Sequence, residues 1–427
     1  MNEWSSFYTI SKGKGIWLID AQGNKIIDAV GSMWCNVWGH SNPQLVKAIT
    51  KQSKQIQHSS LFNLTNEPAE RLAKNLIKIS PGMNKVFYSD NGSSAMEIAI
   101  KMALQYWKNI GETKKTQIVT IENGYHGDTF GAMSVGYVPE FFRKFKKQLF
   151  STIQFPVPNK YRLPKGFTLS DYQNHCLEKI EKRFSKNNDI AAFIMESGAQ
   201  MAGGAIIYPK DFQKKIRELC KKYDILFVLD EIATGFGRLG SMVQYQDQKS
   251  IPDIVAYGKM LTGGYLTMAA TLANKKIYDS FSGEFDDWKH LFHGHTYTGN
   301  PIAAAVANEN LQMYKKHNLI KQVQKTSKIF EKYSQEILDI DIVGDVRHKG
   351  MLMGIELVSN KKKKTPIRTK KSINKVFFEE GKKQGIYLRT LGNIVMLVPP
   401  LSIQQNELEL LLKKTIKTIQ VAKSKTF

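Results

Sequence analysis

Residues 225–230, ILFVLD, put the tightest limit on what this chain can fold into. Five apolar residues follow one another with no polar alternation. A strand of that kind needs cover on both faces, which is the position of a strand inside a parallel sheet with helices on either side. The run ends in Asp230-Glu231 and continues as DEIATGFGR. An acid at the end of a buried strand must be paired or serve something cationic, because burying it alone costs several kcal/mol. The next such run, Ile254 to Gly264 (IVAYGKMLTGG), delivers Lys259 to the end of its own strand. Open α/β sheets bind ligands at their carboxyl edge. Two neighbouring strands are therefore expected to bring Asp230 and Lys259 to one edge. A dry, unpaired lysine there loses its charge easily and can attack a carbonyl. Taken alone, Lys259 reads as an ordinary strand-end lysine.

Upstream, GIWLIDAQGNKII reads as a β-hairpin turning at Gln22-Gly23-Asn24. A loop with Met33, Trp34, Val37 and Trp38 follows, for which packing is the default reading. Asn42-Pro43 opens a helix to about Ile56, and a second runs from Glu67 to Ile79. Val86-Phe87-Tyr88 is a short strand, Asn91-Gly92-Ser93-Ser94 a turn rich in donors, and the helix after it has Ala95, Ala99, Ala103 and Trp107 on one face. Strand, Gly/Ser turn and helix N-terminus together can bind an anion; Gly92-Ser93 is equally a simple cap. A strand over 117–121 leads to NGYHGDTFGAMSV. Its glycines surround Tyr125, His126 and Asp128, a composition suited to a site, although a lone His126 reads as structural. Further strands end at Glu196 and, past a helix over 211–223, at Asp230. FHGHTYTGNP (292–301) is turn-rich, and a long helix starts at Pro301. The remainder alternates helices with strands near 350–357 and 385–400, an α+β pattern that the N-terminal hairpin is expected to join. The expected organisation is a large domain over 46–307 and a smaller one from 1–45 and 308–427.

The 427 residues carry a net charge of +23. The lysines are spread over the whole chain, and only Lys361 to Lys364 forms a dense run, in an expected loop. With no recognition motif beside it, this charge reads as a solvated surface rather than a nucleic-acid site. No apolar run reaches the roughly 20 residues that span a bilayer, and MNEWSSFYTI lacks the layout of a signal peptide. Cys35, Cys176 and Cys220 are odd in number and far apart, as expected of idle thiols in a reducing compartment; the reading is cytoplasmic, without metal.

NGYHGDTFGAMSV, MALQYW, DEIATGFGR and GKMLTGG together resemble the class III aminotransferases of pyridoxal-phosphate (PLP) fold type I, over about Gly13 to Pro400. NGYHGDTFGAMSV is most similar to the branch acting on 8-amino-7-oxononanoate in biotin synthesis. The resemblance implies an α/β fold with a mostly parallel large sheet, PLP as cofactor and a homodimer with its site at the interface. It implies that Lys259 holds PLP and shuttles the proton, that Asp230 pairs with the pyridine nitrogen, and that Tyr125 stacks on the ring. Gly92-Ser93 would hold the phosphate, with His295 and Thr296 reaching it from a partner subunit. Trp34 and Gly294 match substrate-lining positions, and Arg389 matches the arginine that takes the oxo acid's carboxylate. Arg238 and Asp128 would support these groups. Met33, Ser197 and His295 depart from the family pattern, and Phe7-Tyr8-Thr9 stands where a His-Pro-Tyr-Thr-like contact is usual. These departures leave the amino donor open between S-adenosylmethionine and lysine. The resemblance also leaves open another ω-amino-acid or diamine transaminase using 2-oxoglutarate or pyruvate.

Overall fold

The computed structural model describes residues 7–367 and 372–426. Residues 1–6 and Lys371, where a C-terminal helix was expected to begin, lie outside them.

Seven strands make the central sheet. Across it they run Lys85–Ser89, Ala269–Ala273, Ile254–Tyr257, Leu226–Asp230, Ile190–Glu196, Gln117–Ile121 and Ile153–Phe155. All are parallel except Ala269–Ala273, which is antiparallel to both neighbours. Residues 226–230 are buried throughout, as an apolar run without alternation requires. Asp230 pairs in register with Glu196 on one side and Ala256 on the other. Glu196 and Asp230 therefore end at the same edge, with Lys259 three residues past Ala256. The expected adjacency of the Asp230 and Lys259 strands is what the sheet contains.

The helix Gly92–Asn109 lies on this sheet through Ala95, Ala99 and Ala103, whose small side chains let helix and strands approach closely. Trp107 is fully buried and donates its indole N–H to Ala191 O at 2.8 Å. Asparagines set the helix starts: Asn42 before Pro43, Asn66 before Glu67 and Asn300 before Pro301 each accept a first-turn backbone N–H.

Antiparallel strands Val343–Lys349, Leu352–Asn360, Ile394–Leu397 and Arg389–Leu391 build a second sheet. A third joins Ile10–Lys14, Trp17–Asp20 and Lys25–Asp28 to Ile386–Tyr387. The last pairing is parallel, with Asp28 beside Tyr387, so the N-terminal hairpin is stitched to a strand near the other end of the chain. The helix Pro301–Lys316 runs straight through the expected division at 307/308.

Candidate active site

A cleft of about 500 Å³ opens at the carboxyl edge of the central sheet, lined by Trp34, Tyr125, Glu196, Asp230 and Lys259, with Gly92 and Ser93 at one end. The elements that bring these residues together come from six separate parts of the chain.

Asp230 is nearly buried. Its Oδ1 accepts from Ile232 N at 2.8 Å, and its Oδ2 accepts from His126 Nδ1 at 2.8 Å. The two donors hold the carboxylate in place where it lines the cleft. His126 Nε2 is buried and has no partner among the described residues. Glu196, on the adjacent strand, accepts from Tyr125 N at 3.2 Å and Met201 N at 2.8 Å. Burial pushes its carboxyl up to about 7, an effect moderated by His126 and reinforced by the nearby Asp230 charge.

Lys259 follows Gly258 in a short 3-10 turn and adopts φ 42°. Its Nζ lies 5.6 Å from the centre of the Trp34 ring and has no hydrogen-bond or ion-pair partner among the described residues. Burial pulls its pKa below the ordinary value of 10.5; the charges of Asp230 and Glu196 oppose that shift. A half-desolvated, unpaired amine facing a carboxylate across a cleft is a nucleophile and a base.

Gly92 and Ser93 begin the 18-residue helix. Asn91 takes the N–H groups of Ser94 (on Oδ1) and Ala95 (on its backbone oxygen). The donors of Gly92 and Ser93 are left aimed outward at the positive end of the helix dipole, as an anion requires. A Cβ on Gly92 would stand 2.8 Å from Ile232 Cγ2, so the close approach of strand end and helix start needs glycine there. Ser93 Oγ accepts from Asp128 N at 3.2 Å, and Asp128 accepts from Tyr125 Oη at 3.0 Å. The Tyr125 phenol is held well above its ordinary range by burial first and by Asp128 second.

Trp34 ends a left-handed turn. Gly31, Ser32, Met33 and Trp34 have φ of 53°, 49°, 71° and 73°. A left-handed conformation costs a non-glycine residue roughly 1–2 kcal/mol, so three in a row must be held from outside. Arg389 does not line the cleft itself; its Nη1 contacts Sδ of Met33, the residue before Trp34. Arg238 is fully buried behind the cleft, donating to Met351 O at 3.1 Å and Pro399 O at 2.7 Å; burial lowers its pKa to about 10. It ties the loop after Asp230 to the second sheet.

Gly294, His295 and Thr296 do not line this chain's own cleft. They sit on an exposed segment where His295 Nε2 stands 3.1 Å from Asp90 Oδ1 and Thr296 O accepts from His58 Nε2 at 2.8 Å. Tyr8 lies elsewhere again, packed edge-on against Phe378 in a separate apolar pocket.

Two residues gain importance that the sequence did not give them. His126 reads as structural in isolation, yet it is the partner of Asp230. Glu196 stands out in sequence only for the serine after it. The available signal was the density of polar groups in Tyr-His-Gly-Asp and the shared strand-end position of Glu196 and Asp230.

The profile of the family described as aminotransferase class-III matches residues 1–419. An adenosylmethionine-8-amino-7-oxononanoate aminotransferase of Aquifex aeolicus is 42% identical over 93% of this chain and 88% of its own. The crystal structure of the enzyme of that name from Methanocaldococcus jannaschii superposes with a TM-score of 0.91 at 40% identity, covering 97% of this chain and 93% of the other. The omega transaminase of Pseudomonas jessenii in complex with PMP superposes at 0.94, with 29% identity and coverage of 98% and 94%. With its mixed α/β architecture, large mostly parallel sheet and full-length match, this chain belongs to the class III aminotransferases of PLP-dependent fold type I.

Proposed function

We propose that this aminotransferase uses pyridoxal 5′-phosphate to aminate 8-amino-7-oxononanoate, giving 7,8-diaminononanoate for biotin, with S-adenosylmethionine or lysine as donor. The observation that carries the chemistry is the half-buried Lys259 amine, unpartnered among the described residues, in one cleft with the His126-braced Asp230 carboxylate. The free donors of Gly92 and Ser93 and the glycine-only approach at Gly92 fit a phosphate at the cleft's end. The relatives' names supply the substrate, and Arg389, in contact with Met33 beside Trp34, would supply a fork for its carboxylate.

Bound PLP supplies an electron sink for the carbon that loses its proton and carries the amino group between two substrates. Asp230 would keep the pyridine nitrogen protonated, its own charge fixed by His126 Nδ1 and Ile232 N. Lys259 would hold the cofactor covalently and, once displaced by a substrate amine, move the proton with its Nζ, whose pKa burial lowers. Tyr125 would cover the ring, its hydroxyl steered by Asp128. Trp34 would wall the substrate pocket. Arg238 would hold the Asp230 loop against the second sheet.

In the same reading the enzyme is a homodimer. Phe62, Leu64, Trp288 and Phe292 are each more than 60% exposed and flank the segment with Gly294, His295 and Thr296. A second copy covering this band would turn Thr296 toward the partner's phosphate site. Residues 46–307 form the large domain, with 1–45 and 308–427 the smaller and the helix Pro301–Lys316 bridging them. The free thiols of Cys35, Cys176 and Cys220 suit work in the cytoplasm.

The test is a donor screen on pure protein with 8-amino-7-oxononanoate. Diamine formed with S-adenosylmethionine or lysine supports the reading. No diamine with either, together with brisk turnover of a diamine or ω-amino acid with pyruvate or 2-oxoglutarate, replaces it with that other transaminase activity.

A further inference from the structure

We infer that Asp28 is a positioning residue of the acceptor site: it clamps the left-handed turn Gly31–Trp34 and so fixes where Met33 meets Arg389 and where Trp34 stands in the cleft. This rests on the proposed role of Arg389 as the carboxylate fork. Asp28 is fully buried and lies outside the cleft. Its side-chain hydrogen bonds among the described residues all go to this one turn and its anchor. Its Oδ1 accepts from Val30 N at 3.2 Å. Its Oδ2 accepts from Ser32 N at 2.8 Å, from Ser32 Oγ at 3.0 Å and from His40 Nε2 at 3.0 Å. His40 is itself fixed, its backbone exchanging hydrogen bonds with Gly15.

The turn needs such a clamp. Three consecutive side chains hold left-handed backbone, and the only glycine, Gly31, is itself pinned: a Cβ there would stand 2.7 Å from Val398 O. Backbone bonds from Trp34 N to Val30 O and from Cys35 N and Asn36 N to Gly31 O close the turn, but Asp28 supplies the side-chain acceptors that hold Val30 and Ser32 at its start.

The clamp is also in the right place to set specificity. Asp28 ends the strand Lys25–Asp28, which runs parallel to Ile386–Tyr387 with Asp28 beside Tyr387. Parallel strands discharge their chains at the same edge. The turn therefore leaves one strand, and Arg389 the other, side by side, and Met33 Sδ touches the guanidinium. If the turn relaxed, the thioether and the indole would shift against Arg389 while Lys259 and Asp230, on the central sheet, stayed put.

The experiment compares 8-amino-7-oxononanoate with its neutral methyl ester as acceptors for the holoenzyme and the variants Asp28→Asn, His40→Gln and Arg389→Ala. A displaced fork costs about tenfold or more. Asp28→Asn is expected to raise KM for the acid about tenfold with a smaller change in kcat, and to lower the acid-to-ester ratio of kcat/KM. His40→Gln should move both in the same direction by less. If Asp28→Asn fails to fold, His40→Gln decides. Wild-type acid-to-ester ratios in the folded Asp28 and His40 variants, or equal losses for acid and ester, overturn the clamp, provided Arg389→Ala lowers the ratio. An unchanged ratio in Arg389→Ala would instead overturn the role given to Arg389.

Discussion

His126 Nδ1 donates to Asp230 Oδ2 at 2.8 Å, across 104 residues of sequence, and both groups are buried. The imidazole thereby braces the carboxylate where it lines the cleft. A hydrogen bond to a charged group is worth about 1.5–3 kcal/mol. His126→Asn should therefore cut kcat by about 10- to 100-fold in single-turnover amine transfer, with the protein still folded. A loss below about twofold would mean that Asp230 does not need this partner.

Gly92→Ala should weaken cofactor binding by about tenfold or more, because the new methyl meets Ile232 at the start of the phosphate-facing helix. The double variant with Ile232→Ala, which makes room, should recover much of the affinity. Titration of apoprotein with pyridoxal phosphate measures both.

The Glu196 carboxyl is pushed up to about 7 from an ordinary 4.5 by burial, and so is that of Glu231. A raised folded-state pKa means the fold binds protons more tightly than the unfolded chain does. The resulting stabilisation is complete below about pH 4.5 and is lost as pH rises through about 7. Denaturant midpoints of the apoprotein should fall between pH 5 and pH 7.5 and then level off, by on the order of 2–3 kcal/mol per carboxylate. Glu196→Gln should flatten about half of that fall. A midpoint rising over the same range would contradict the assignment.

Trp288 and Phe292 are 65% and 63% exposed beside Thr296. Trp288→Glu should shift the protein toward monomer in sedimentation and lower activity with it, since desolvating a charge in an apolar interface costs several kcal/mol. A monomeric, fully active variant would separate assembly from the site.

Much of this was legible in the sequence, for reasons particular to each element. The run ILFVLD could only be a strand covered on both faces, and its terminal acid had to meet something. IVAYGK had the same form, so the meeting of Asp230 and Lys259 followed from two strand ends. The role of His126 was not legible, because a ring nitrogen's partner lies on another strand and spacing does not reveal it. The strand Ala269–Ala273 is short and alanine-rich, and its antiparallel direction has no local signal. The left-handed turn at 31–34 has one glycine where four residues hold positive φ. Asp28 accepts from Val30 N just before it and from Ser32 N within it, and no residue type in the stretch announces that bracing. The meeting of Met33 with Arg389 spans 356 residues and depends on the parallel pairing of two short strands.

The most direct test of the central claim is to reduce the holoenzyme with borohydride and map the modified residue by peptide mass spectrometry. A cofactor fixed on Lys259 alone, and lost in Lys259→Ala together with amine transfer, is the predicted result. A cofactor fixed on a different lysine, or no fixed cofactor in an enzyme that still transfers amines, would contradict it.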